Sequence, residues 1–382
     1  MMKRYTLSLS DNPAEKRRKV RIGIIGVGQI GKFHLSNYET MPDVEVVAAA
    51  DINETELKTV AERYKIPNIY TDFRELLKRD DIEAVDVCLH NNYHAPVSIE
   101  VMRAGKHCYC QKPIAGSYYD GKTMLDVAKE TGKMLHIYMA SLYYKEARAA
   151  KELIAAGKLG RIYHARASGH RRRGRPYVDG YGNPDFVKKQ IAEGGALYDA
   201  GIYNIVQILY LIGMPKILRI SGKTYQELPM DEERKKISGY NVEEFALGLV
   251  RLEGNMTMDI IQSWAVNLDS FERSYILGSE GGVRLNPFGF FYNVGNLSMD
   301  ATADLERMDT RQHDLMPNAD AYDLSQHHWI AALQGRVPLL PTAELGLQMM
   351  MIGEGIYMSD RLGREVSAEE VIKQSKSTAI KI

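Results

Sequence analysis

A short apolar run, Val20–Ile25, leads without a break into Gly26-Val-Gly28-Gln-Ile-Gly31, and Ile30, Phe33, His34 and Tyr38 then follow at helical spacing. A G-x-G-x-x-G at a strand-to-helix junction leaves the backbone few options. Gly26 makes the tight turn, Gly28 lets the chain approach a pyrophosphate, and Gly31 lets helix and strand pack closely. The first helical turn, with Gln29 and Ile30, offers unpaired N–H groups and the positive end of the helix dipole to phosphates. The next apolar run, Val44–Ala50, ends in Asp51, about 20 residues past Gly31, where an acidic side chain meets the adenosine ribose. The stretch predicts a dinucleotide site. Asp51 would repel a 2′-phosphate, and Ile52 and Asn53 bring no arginine to offset it, so NAD is expected rather than NADP.

The pattern around this stretch repeats. Leu57, Val60, Ala61 and Tyr64 trace a helix stripe, Ile69–Thr71 reads as a strand and Phe73–Lys78 as a short helix. Ala84–Leu89, Lys106–Gln111 and Met134–Ala140 read as strands, with helices over Ala95–Ala104 and from a Ser117 cap through Glu130 to Gly132. Such alternation predicts an α/β Rossmann domain, a doubly wound parallel sheet over residues 20–141. Residues 1–19 read as a solvated tail.

After the helix Lys145–Ala156 the rhythm changes. Ile162–Arg171 alternates, with His164, Arg166, Ser168 and His170 on one face and Tyr163, Ala165, Ala167 and Gly169 on the other. Ile217–Lys223, Phe245–Leu252, Asn255–Val266 and Ser274–Gly278 also read as strands, with few helices between them. Residues 142–382 are therefore expected to form an α+β domain on a large, mainly antiparallel, open-faced sheet. The helix Ala343–Ser359 carries Met349, Met350, Met351 and Met358, read as core filler.

Composition bounds the partners. Lys plus Arg number 49 and Asp plus Glu 49, so no global field favours nucleic acid or a membrane surface. No segment approaches the ~20 apolar residues of a membrane span, and Met1–Lys19 lacks the apolar core of a signal peptide. A cytoplasmic location is expected. Cys88, Cys108 and Cys110 lie in or beside apolar runs and read as small buried side chains, not disulfide partners or metal ligands.

Two stretches carry candidate chemistry. Cys110-Gln111-Lys112-Pro113 closes a strand of the parallel sheet, and ligands bind off the carboxyl ends of such strands. Glu193-Gly-Gly-Ala-Leu-Tyr-Asp199-Ala-Gly201-Ile-Tyr203 leads into a helix expected over Ala196–Ile212, which puts Asp199 and Tyr203 on one face and leaves Gly201 free to pack closely. The basic run His170–Arg175 lacks interleaved aromatics and reads as a cleft-rim loop. From it and just beyond, Arg171 and Tyr181 could reach a substrate. Trp264 reads as sheet packing, and His313, His327 and His328 as surface or structural groups.

Together with the nucleotide fold, these stretches resemble the glucose–fructose oxidoreductase / inositol dehydrogenase / rhizopine-catabolism (Gfo/Idh/MocA) family, in its tyrosine-containing subgroup. AGKHCYCQKPIA resembles the family's A-G-K-H-V-x-x-E-K-P-x-A block, and EGGALYDAGIY its G-G-G-x-x-x-D-x-G-x-H/Y block. AKELIAAGKLGRIYHARA is similar to the link into its second domain, and PLLPTAELGLQ to a C-terminal signature. The resemblance implies an NAD(P)-dependent dehydrogenase of sugars, glycosides or cyclitols, with Lys112, Asp199 and Tyr203 catalytic. It implies cofactor contacts at Asn91, His94, Gln111 and Lys112, and a homo-oligomer formed through the open sheet. Two departures stand out. Gln111 replaces the glutamate of E-K-P, and His90 replaces the proline of T-P-N-x-x-H.

Tyr203 would act as base if the Lys112 ammonium lowered its phenol pKa; neutral Lys112 as the direct base is the rival assignment. Two other functions share these features. One is an NAD-assisted glycosidase with transient oxidation, the other a non-catalytic NAD-binding regulator.

Overall fold

The computed structural model describes residues 17–382. All but the last three residues of the expected tail lie outside the described residues. Of those three, Arg17 pairs with Asp320 at 2.7 Å and Arg18 with Glu83 at 2.7 Å.

Six strands, β1 (Val20–Ile25), β2 (Val44–Ala50), β3 (Asn68–Tyr70), β4 (Ala84–Val87), β5 (His107–Cys110) and β6 (Leu135–Ile137), form a parallel sheet of order β3-β2-β1-β4-β5-β6. Their apolar runs are continuous because helices cover both faces. These helices are α1 (Gln29–Tyr38), α2 (Glu54–Tyr64), α3 (Phe73–Leu77), α4 (Asn91–Arg103) and α5 (Tyr118–Thr131). Strand order reverses between β1 and β4, and the crevice at their carboxyl ends is where such a sheet binds ligands.

Helix α4 begins four residues earlier than its sequence suggests. Pro96, inside it, cannot donate to the carbonyl of Asn92. That carbonyl instead accepts the N–H of Ile380 from the C-terminal segment, at 3.1 Å. The predicted caps of α5 are present: Ser117 accepts the N–H of Asp120, and Gly132 ends the helix at φ +65°.

A nine-stranded sheet occupies the later part of the chain. Its strands are β7 (Ile162–His170), β8 (Ile217–Tyr225), β9 (Phe245–Leu252), β10 (Met256–Ser263), β11 (Tyr275–Gly278), β12 (Gly281–Arg284), β13 (Gly289–Val294), β14 (Leu297–Ala301) and β15 (Val366–Ser367). Every pairing is antiparallel except β7 with β10. The strands β12 to β15 were not among those expected: β12 is short and opens on two glycines, and β15 has two residues.

One face of this sheet packs Ala165, Ala167, Ile220, Val250 and Ile260 against the helices Ile202–Leu211 and Thr342–Leu362. Met349, Met350 and Met358 are buried there as core, and Met351 packs against it half-buried. The opposite face aligns His164, Arg166, Ser168 and His170 with Thr257, Asp259, Ile261 and Ser263. The helix Ser325–Leu333 lies late in sequence yet packs Trp329 and Ile330 against Val20, Ile22, Tyr38 and Tyr109 of the first domain. Cys88, Cys108 and Cys110 are buried free thiols.

Candidate active site

The glycine turn has the shape a dinucleotide needs. Gly26 sits at φ +90°, and a Cβ there would lie 2.3 Å from the carbonyl of Cys88. A Cβ on Gly31 would lie 2.1 Å from the carbonyl of Gly26, while one on Gly28 would meet nothing within 4 Å. Gly28 is also the N-cap of α1 and supplies no side-chain acceptor. The helix therefore presents its first N–H groups to an open approach beside Gln29 and Ile30, the geometry that receives phosphates. Asp51 stands beside this turn, its two oxygens accepting the N–H groups of Val27 and Asn53 at 2.8 Å each. These residues fit an NAD cofactor.

Lys112 follows β5 directly and enters the same crevice. Its Nζ donates to Oδ1 of Asp199 at 3.0 Å and to the Asp199 carbonyl at 2.9 Å. It also lies 5.0 Å from the centroid of the Tyr203 ring. The three residues expected to act together thus converge from two domains.

The helix carrying Asp199 and Tyr203 differs from the regular one expected over Ala196–Ile212. Leu197–Gly201 is a π-turn, followed by an α-helix over Ile202–Leu211. A π-turn widens the ladder locally and is common at functional sites. Its start is capped from a distance, because the Glu243 carboxylate accepts the N–H groups of Gly195 and Leu197 at 2.9 Å. Gly201 allows the close approach expected of it, as a Cβ would lie 2.9 Å from Cγ of Gln262.

The electrostatics follow from this packing. Burial alone would raise the Asp199 carboxyl, but Lys112, Arg171 and the indole N–H of Trp264 outweigh it and hold the group below the usual carboxylate range. Burial would likewise lower the Lys112 ammonium, and the charges of Asp199 and Tyr203 reverse that shift and raise it. Lys112 is therefore an ammonium near neutral pH. Arg171 reaches Asp199 Oδ2 at 3.5 Å and donates to the Tyr181 hydroxyl at 2.6 Å, so both rim residues border the cluster.

Three residues expected to contact the cofactor bond within the protein. His94 is fully buried, with Nδ1 2.7 Å from the carbonyl of Pro113 and Nε2 2.9 Å from that of Leu89. Burial pushes its imidazole down to about 4. As a neutral ring it carries one N–H and donates to one of these two carbonyls. Asn91 donates its amide to the carbonyl of Ala192 at 2.8 Å, tying α4 to the second domain. Gln111 turns inward, 5% exposed, onto His34.

One site residue was read as packing alone. Trp264 is fully buried, and its Nε1 donates to Asp199 Oδ2 at 3.0 Å. The available signal was chemical: a buried indole N–H needs an acceptor.

A family model described as "Oxidoreductase family, NAD-binding Rossmann fold" matches residues 20–139, and one for the GFO/IDH/MocA C-terminal domain matches residues 147–284. The chain belongs to the Gfo/Idh/MocA oxidoreductase family, with an NAD-binding Rossmann domain. It is similar to the D-glucoside 3-dehydrogenase of Escherichia coli strain K12, 26% identical over 355 residues, 91% of this chain and 97% of that one. It is also similar to the myo-inositol 2-dehydrogenase of Thermotoga maritima, 26% identical over 194 residues, 51% of this chain and 55% of that one. A levoglucosan dehydrogenase solved in complex with NADH and L-sorbose shares the fold with a TM-score of 0.74 at 20% identity, covering 92% of this chain and 99% of that one. No helix among the described residues is long and apolar enough to cross a membrane.

Proposed function

We propose that this chain oxidises a secondary hydroxyl of a sugar, glycoside or cyclitol to a ketone. The reading rests above all on the convergence of Lys112, Asp199 and Tyr203 at the crevice that the glycine turn opens onto. The similarity to sugar and cyclitol dehydrogenases supports the substrate class. NAD, when bound, accepts the hydride. Everything else falls to the chain's own side chains.

Tyr203 removes the hydroxyl proton. Its ring lies against the Lys112 ammonium, with Nζ 5.0 Å from the ring centroid, so the base and the charge that Asp199 fixes share the crevice. Asp199 cannot serve as base, since its carboxylate is occupied by Lys112 and Trp264. It fixes Lys112 instead. The same pairing keeps Lys112 protonated, which disfavours neutral lysine as the direct base. Arg171 and Tyr181 border the opening and contact the substrate's remaining hydroxyls.

The reading includes a division of the chain near residue 141 into cofactor and substrate domains, with Ser325–Leu333 returning to the first. Asp51 and its neighbours Ile52 and Asn53 favour NAD over NADP; Ile52 is 93% exposed and offers a 2′-phosphate no charge partner. A panel of sugars, cyclitols and glycosides, followed by NADH absorbance, tests the reaction. Net NADH formation on at least one of them is expected; its absence across the panel would sink the proposal. With a good substrate, NAD should bind more tightly than NADP, and Asp51→Ala should narrow the gap. Tighter binding of NADP by the wild type would refute the Asp51 argument.

A further inference from the structure

Beneath the glycine turn lies a polar cluster that the reaction as described does not use. His34 of α1 is fully buried, Asp86 of β4 is 1% exposed and Gln111 is 5% exposed. Oε1 of Gln111 accepts the backbone N–H of Lys112 at 3.3 Å. Nε2 of Gln111 lies 2.5 Å from Nε2 of His34, and Nδ1 of His34 lies 2.7 Å from Oδ2 of Asp86.

Hydrogen-bond chemistry gives this series a direction. The Gln111 amide presents its oxygen to Lys112, so its NH₂ must face the histidine as donor. His34 Nε2 is then the acceptor, which leaves the ring proton on Nδ1 to be donated to Asp86. The hydroxyl of Tyr38 and the thiol of Cys88 also donate to Asp86, at 3.0 and 3.4 Å. Every donor runs the same way, from the Lys112 peptide to one carboxylate. Such aligned bonds polarise one another.

Gln111 stands where the family block it resembles has a glutamate. A glutamate at position 111 could accept from both the Lys112 N–H and a histidine Nε2–H. Gln111 accepts on one side only and donates on the other, which requires a final acceptor beyond His34. Asp86 is that acceptor. We infer that Asp86 is a positioning residue for the reaction: through His34 and Gln111 it holds the Lys112 backbone, and hence its ammonium, against Asp199 and Tyr203.

This inference rests on the proposed role of Lys112, and the experiment separates the two. Asp86→Asn, Asp86→Asn with Gln111→Glu, and Lys112→Met are compared with wild type for kcat, substrate KM, NAD affinity and the pH profile of kcat. Small displacements of a reacting group cost up to ~100-fold in rate. Asp86→Asn should lower kcat about 10–100-fold with KM and NAD affinity nearly unchanged. Its ascending pH limb should move, because the Lys112 ammonium no longer sits against Asp199 and the Tyr203 ring. The double variant, with its carboxylate returned to position 111, should recover both the rate and the limb. A purely structural role would lower the yield of folded enzyme without moving the limb.

An unshifted limb in Asp86→Asn, or no recovery in a folded double variant, would overturn the inference while leaving the Lys112 reading intact. An unimpaired Lys112→Met would remove the reading itself. The ¹⁵N-histidine spectrum of the wild-type holoenzyme tests the chain without any variant. His34 should be protonated at Nδ1 only, and a proton on Nε2 would contradict the series.

Discussion

At the scale of single residues, the site is organised by what Asp199 accepts. Its oxygens take Lys112 and Trp264, and Arg171 approaches a third side. Removing one donor from a charged acceptor costs about 1.5–3 kcal/mol. Trp264→Phe removes that donor and part of a fully buried ring, so kcat/KM should fall roughly 10–100-fold and the thermal midpoint should fall with it. An unchanged kcat/KM would mean that the indole N–H does not position Asp199. Lys112, Asp199 and Tyr203 were singled out by a strand end, a shared helix face and the family resemblance, and the structure brings the three side chains together. His94, Asn91 and Gln111, expected at the cofactor, are engaged by the protein's own groups. Each is polar and near the crevice in sequence, but a neighbouring carbonyl or ring satisfies it, and a one-dimensional pattern does not reveal which way a side chain turns.

Among the elements, the alternation of strands and helices up to Ile137 was readable because buried parallel strands are continuous apolar runs. The π-turn was not. It depends on Glu243, which reaches Gly195 and Leu197 from more than 40 residues away. Gly195 lies at the closest approach, where a Cβ would come within 1.9 Å of the Glu243 carbonyl oxygen. That atom is backbone and cannot swing aside. Gly195→Ala should therefore destabilise the protein by at least the ~1–3 kcal/mol of an overpacked core, read from urea unfolding. Wild-type stability in that variant would show that the turn relaxes freely. The strands β12 to β14 are only four to six residues long and were passed over, although Leu297–Ala301 does alternate; they form by pairing with β11 and with one another.

For the whole molecule, long-range ties dominate, and these were the least legible. Trp329 fills the first domain's core, and Thr378 donates its N–H to Asp120 at 2.8 Å. The outer face of the large sheet carries Leu247 and Leu249, 38% and 39% exposed, beside the Arg166–Asp259 pair at 2.7 Å. An apolar and charged mixture on a broad, uncovered sheet suits a second copy of the chain. Light scattering on the dilute protein should give a dimer or larger assembly, and Leu247→Glu with Leu249→Glu should give a monomer. A monomeric wild type would refute that interface.

The central claim is that Lys112 and Tyr203 transfer the proton as a unit, and the pH dependence of turnover in Lys112→Met and Tyr203→Phe tests it most directly. Tyr203→Phe should lose ~10²–10⁴-fold in rate at every pH while binding NAD normally. Lys112→Met should also be impaired near neutrality, with an altered pH profile, because it removes the charge that lies against the Tyr203 ring. The double variant should be little worse than the more damaged single one. Near wild-type turnover by Tyr203→Phe, or an unaltered pH profile in Lys112→Met, would contradict the account.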